Sequence, residues 1–215
     1  MSFIPDLSIL AAFTLAAAVL TITPGPDMTL FMSKTLQQGR KAGAAAVIGA
    51  ASGVVVHSLF AALGISALLA TSATAFAILK YVGAAYLIFL AVQAVRNGSA
   101  LTLEAAANRN EPLSRIWLQG LTINLLNPKI VLFFVTFLPQ FVSASDPHAP
   151  QKLLFLGLYF IAMAVPACLA MVFGASAFAR FLKSSPRAMR AFDWTFAGVM
   201  GTFAIKLLAA KAAAE

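Results

Sequence analysis

The chain has 215 residues, of which 61% are hydrophobic and 10% charged, with a mean hydropathy of +0.90. That is more apolar surface than a water-soluble domain of this size can hide, so the composition indicates a polytopic membrane protein. The net charge of +8 does not indicate a nucleic-acid partner, because the basic residues fall between apolar runs rather than on one face or in one tail.

The first apolar run covers about 7–31 and carries no charge from 7 to 26. Residues 1–6 hold no Lys or Arg, so the basic start of a signal peptide is missing and the run is expected to be a mature span. Twenty apolar residues make a helix of roughly 30 Å, enough to cross the hydrocarbon core. Late in this run stands Thr23-Pro24-Gly25-Pro26-Asp27. Each proline removes a backbone donor and clashes with the preceding turn, so the helix must break there. In hydrocarbon the freed backbone groups need protein partners or a wet cavity, and a carboxylate at mid-membrane adds about 2.5–3.5 kcal/mol. Two readings stay open: a kink at the membrane surface with Asp27 already in water, or a discontinuous helix lining a polar site.

The uncharged run 42–79 is too long for one span, and Thr71-Ser72-Ala73-Thr74 offers a turn, which predicts helices near 43–70 and 75–95. The fourth span is expected at 114–141, interrupted by Lys129, the fifth at 152–180 and the sixth at 191–210. The polar connector 96–115 separates two half-repeats, about 1–98 and 112–215, of a single transmembrane domain, 1–215. Loops after spans one, three and five hold Lys34, Arg40, Lys41, Arg96, Arg109, Arg115, Arg180, Lys183, Arg187 and Arg190, ten cations against Lys80, Lys152, Lys206 and Lys211 on the other side. The positive-inside rule then places those loops in the cytoplasm and both termini outside.

The fourth span repeats the feature of the first: Asn124-Leu125-Leu126-Asn127-Pro128-Lys129 is a second proline break beside a charge. Three helices per half set the halves in opposite senses across the membrane. The expected fold is therefore all-α, six transmembrane helices as two inverted three-helix repeats. Interrupted helices at matching positions of such repeats mark the binding site of a secondary transporter.

Other residues carry weaker signals. Gly39, Gly43, Gly49 and Gly53 at near-four-residue spacing suit close helix packing, inside the chain or in a homodimer. His57, alone in an uncharged helix, is either bonded to a neighbouring carbonyl or a coupling group alongside Asp27. Pro166 lies at nearly the same offset in the fifth span and suits a kink or hinge. Tyr81, Tyr86, Trp117 and Trp194 read as interfacial anchors. The single Cys168 cannot form an internal disulfide and reads as a packed core residue; no metal-ligand cluster and no cofactor is expected.

The run 23–27 followed by Gly39, Gly43, Gly49, Gly53 and His57 resembles the first half of the lysine-exporter superfamily, of the LysE and RhtB type. Lys80-Tyr81-Val82-Gly83-Ala84-Ala85-Tyr86-Leu87 is similar to that family's third helix. Gly120, the run 124–129, Phe133-Phe134 and Leu138-Pro139-Gln140-Phe141 resemble its fourth. The likeness is strong over about 7–141 and fainter to Asp193 and Gly198; Asp27 stands where many members of the RhtB type have Asn. The resemblance implies a bacterial inner-membrane exporter of amino acids or related metabolites.

On these readings the substrate, an amino acid or analogue, is expected at Pro24, Gly25, Pro26, Asp27, Asn124, Asn127, Pro128 and Lys129. Lys129 and the half-helix N-termini would face its carboxylate, and Asp27 with the unwound carbonyls its ammonium, with a proton as the exchanged ion. A structural ion pair between Asp27 and Lys129 is the alternative. An aspartyl intramembrane protease would need a second membrane carboxylate, which is missing. A passive channel or a scaffold is the remaining rival class.

Overall fold

A residue that precedes proline is driven from helical into extended backbone, while proline itself fits the first position of a helix, where no donor is needed. The chain uses this device twice. In the computed structural model, which describes residues 4–23, 25–65, 111–143, 146–175, 177, 185–209 and scattered positions between 74 and 96, α1 (Leu7–Ile22) ends at an extended Thr23. Gly25 follows at φ −175° and ψ −176°, and Pro26 opens α2 (Pro26–Gln38). Gly39 at φ 86° turns the chain into α3 (Arg40–Phe60), a left-handed position that favours glycine. In the second half α4 (Leu113–Leu126) ends at an extended Asn127, and Pro128 opens α5 (Pro128–Leu132). The helix axis bends by 51° at both breaks. Pro24, most of the expected third span and most of the connector lie outside the described residues.

α3 runs on into a π-helical turn, Ala61–Ile65, and α5 into a π-helical turn, Phe133–Phe137, and a 3-10 turn, Leu138–Phe141. α6 (Ala149–Phe173) and α7 (Pro186–Ala209) complete the helices. Pro166 lies on an exposed position inside α6 without ending the helix. No strand occurs among the described residues. Two helices, Arg40–Gly64 and Ala149–Phe173, are long and apolar enough to cross a bilayer, and four spans result if each bent pair is one. α7, which overlaps the expected sixth span, is not among the four.

α3 is the central element and packs against α2, α4 and α6. Its contact with α4 is made backbone to backbone. A side chain at Gly49 would overlap the Trp117 carbonyl, and one at Gly120 would overlap the Ala46 carbonyl, so each glycine admits the other helix. Gly53 lies under Asn124, and Gly157 of α6 under Ser58. Around Phe13 of α1 gather Phe133, Phe141 and Tyr159, with ring centroids 5.3–6.2 Å from its own. These rings join α1, the segment after α5 and α6 into one apolar core.

The far end of α2 is tied to the start of α4. Lys34 donates to Glu111 Oε1 at 2.5 Å, Gln119 donates to Oε2 at 2.7 Å, and the Glu111 amide donates to Gln38 Oε1 at 3.0 Å. The Lys34 hydrogen bond holds the Glu111 carboxyl below its usual range. In the loop before α6, the hydrogen bond from Lys152 does the same for Asp146, which also accepts from the His148 amide.

Two outcomes follow from this packing. Gly120→Val should lower the unfolding temperature in detergent, with an overpacking cost of about 1–3 kcal/mol; unchanged melting would show that α3 and α4 can part freely. Glu111 has a depressed folded pKa, so its contribution is present above its unfolded value of about 4.5 and is lost as pH falls through the folded one. Glu111→Gln should therefore melt earlier than the parent at pH 7, and the two curves should converge as pH falls through the folded pKa.

Candidate functional site

The two breaks leave α1 with unpaired carbonyls at its end and α4 with unpaired carbonyls at its own. The second break supplies partners to the first. From the second break, Asn124 Nδ2 and Asn127 Nδ2 both donate to Asp27 Oδ2 at 3.0 Å. From the same break, Lys129 Nζ donates to the carbonyls of Leu20 and Thr23 at 3.2 and 3.0 Å. Asn127 also accepts from the Lys129 amide at 3.1 Å, which caps α5 and fixes both its own rotamer and the path of Lys129. Both asparagines are buried, 2% exposed each.

These bonds bear on the ion-pair alternative. No direct salt bridge joins Asp27 and Lys129 among the described residues; amides hold the acid and carbonyls hold the cation. The unwound carbonyls expected to bind a substrate ammonium already carry that of Lys129. Gly25 makes room for it, since a Cβ there would lie 3.2 Å from Nζ. The backbone at Gly25 is extended and open to any residue, so space rather than conformation calls for glycine.

Two acceptors are left over. Asp27 Oδ1 and Asn124 Oδ1 are buried and have no hydrogen-bond partner among the described residues. Both side chains line a cavity of about 60 Å³, room for roughly four waters. Its polar wall comes from the breaks: Thr21, Thr23, Asp27, Asn124 and Lys129. The facing wall is apolar, built from Val47, Ala50 and Val54 of α3 and Phe160, Ala164, Val165, Cys168 and Met171 of α6, with Met28 and Phe31 of α2 closing one side. The cavity thus has polar and charged side chains from the breaks and an aliphatic surface from α3 and α6.

Of the residues expected at the site, Asp27, Asn124, Asn127 and Lys129 meet, Gly25 abuts Lys129, and Pro26 and Pro128 shape the breaks. Pro24 lies outside the described residues. His57 does not line the cavity: its Nε2 lies 3.4 Å from the Asn124 carbonyl and its ring stacks on Phe134. Gly49 packs against Trp117, away from the cavity, whereas Gly53 backs Asn124, with a Cβ there only 2.6 Å from its Oδ1. Sequence reasoning missed the apolar wall. Phe160, Ala164, Cys168 and Met171 recur every three to four residues on α6, but in an all-apolar span that face carries no mark of its own. No cluster of three metal-ligating side chains occurs among the described residues.

The sequence profile of the LysE type translocator family matches residues 18–211. The chain is 36% identical over 150 residues to an uncharacterized membrane protein of Vibrio cholerae, covering 69% of this chain and 72% of that one. It is similar to the homoserine/homoserine lactone efflux protein of Salmonella typhimurium, 29% identical over 86% of this chain and 88% of the relative. It is also similar to the leucine efflux protein of an Enterobacter species, 30% identical over 81% and 83%. No solved structure matches the chain.

Hydrogen bonds to a charged group contribute about 1.5–3 kcal/mol. Asn124→Ala and Asn127→Ala should each destabilise the protein by about that much, and the double variant should lose less than the sum, because both bonds end on the same oxygen. Thermal unfolding of purified variants measures this, and additive losses would show that the two asparagines act independently.

Proposed function

The chain belongs to the LysE type translocator family, and from that premise we propose that it exports amino acids or related small zwitterionic metabolites by proton-coupled alternating access. The observation that carries this reading is a cavity lined by Asp27, Asn124 and Lys129, beside which Asp27 Oδ1 and Asn124 Oδ1 lie buried with no hydrogen-bond partner among the described residues. A buried acceptor without a partner costs about 1–3 kcal/mol. A substrate ammonium at Asp27 Oδ1 relieves that cost there. The aliphatic wall of α3 and α6 then takes the side chain. Relatives named for efflux of leucine and of homoserine support the same class.

The membrane arrangement proposed with it is two inverted three-helix repeats, each opening with a broken span, around a shared cavity. The matched bends of 51° support it. In this reading the Lys34–Glu111 network lies at the cytoplasmic end, both termini lie outside and the membrane is the bacterial inner one; the asymmetry of Lys and Arg supports the orientation. A titratable group of the break cluster carries the exchanged proton; Asp27 and Lys129 line the cavity, and His57 lies against the Asn124 carbonyl. Gly49, Gly53, Gly120 and Gly157 face neighbours within the chain, so a homodimer is no part of this reading.

Inside-out vesicles containing the protein should accumulate a labelled aliphatic amino acid against its gradient, and a protonophore should abolish the accumulation. Asp27→Ala should reduce the rate about 10–100-fold, the worth of a charged hydrogen bond. Movement that stops at equal concentrations on both sides would identify a passive channel instead.

A further inference from the structure

A broken helix presents at its carboxyl end a set of unpaired carbonyls and roughly half a negative charge. In hydrocarbon this end cannot stay bare, and in carriers built from discontinuous helices such ends coordinate the coupling cation. Here the end of α1 is not bare. Lys129 reaches it from the opposite half, 109 residues from Leu20, and places its ammonium on the Leu20 and Thr23 carbonyls. Gly25 leaves room for the ammonium, and Asn127 holds the amide of the same lysine.

We propose that the Lys129 ammonium is a tethered cation filling the seat at the carbonyl end of α1, and that its exchange with the substrate's own ammonium couples transport to a proton. This rests on the export reading above and sharpens it. An ammonium carries three N–H donors, and the seat supplies two carbonyls. A substrate ammonium satisfies the same carbonyls and adds Asp27 Oδ1, the acceptor that Lys129 leaves unmet. Two ammonium groups cannot share the seat. When Lys129 loses its proton to the cytoplasmic side, its neutral amine releases the carbonyls and the substrate ammonium takes them. When Nζ regains a proton from the outer side, it reclaims the seat and the substrate leaves. One proton enters for each zwitterion exported, no bond other than N–H changes, and the seat holds one positive charge throughout. The titratable groups around it are Asp27 of α2, His57 of α3, reached through Asn124, and Cys168 of α6.

The scheme requires no metal cation, and it requires a free ammonium on the substrate. Purified protein in liposomes, in choline medium free of sodium and potassium, should move an aliphatic amino acid in response to a pH gradient alone; an added sodium gradient should change nothing. The N-acetylated amino acid should not be moved. Lys129→Arg keeps a charge that does not leave at working pH, so the variant should fold with the parent's melting behaviour and lose pH-driven transport at least about tenfold. Lys129→Ala empties the seat, and methylammonium in the medium should raise its melting temperature while tetramethylammonium, which has no N–H, should not. A sodium requirement in the parent, transport of the N-acetyl compound, pH-driven transport by Lys129→Arg, or equal effects of the two ammonium ions on Lys129→Ala would each overturn the assignment while leaving export intact. A parent that moves no amino acid under any gradient removes the export reading, and this one with it.

Discussion

Everything in the described part of this protein answers to one constraint: a helix interrupted inside hydrocarbon must find partners for the backbone groups it frees. Two interruptions could each have been wetted or capped locally. The second is capped by its own Asn127, and it also serves the first, whose carbonyls receive Lys129 and whose acid receives Asn124 and Asn127. Such an arrangement demands that the two halves approach closely, and the glycine crossing of α3 with α4 permits it. Gly49 and Gly120 bring the backbones together, and Gly53 admits Asn124 to the space in front of Asp27.

Much of this was legible in the sequence, because proline breaks and charges stand out against apolar helices. Pro26 and Pro128 located both interruptions, and the adjacent Asp27 and Lys129 located the polar site. What was not legible is which group meets which. Two opposite charges set in apolar spans suggest a salt bridge, and the structure pairs each charge with dipoles instead. The reason is geometric: a carbonyl end and a side-chain amide are available at the breaks themselves, while composition registers only formal charge. The apolar wall was hidden for the opposite reason. Its residues are of the same kind as every lipid-facing residue, and only the fold tells Ala164 and Met171, which face the cavity, from Leu158, which is exposed.

The family assignment and the geometry address different questions. Membership among the LysE type translocators gives the class of activity. The cavity, with charge-bearing groups along one wall and aliphatic side chains along the other, bears on the kind of molecule that fits. The motif resemblance includes His57, yet its ring lies against the Asn124 carbonyl, packed on Phe134.

The one-sidedness of the contact between the breaks has a mechanical corollary. The bonds between them are donated by the second break to the first, while the second keeps its own cap at Asn127. Straightening α1 into α2 would therefore strip two carbonyls and a carboxylate of their donors at once, whereas the elbow between α4 and α5 carries its own brace.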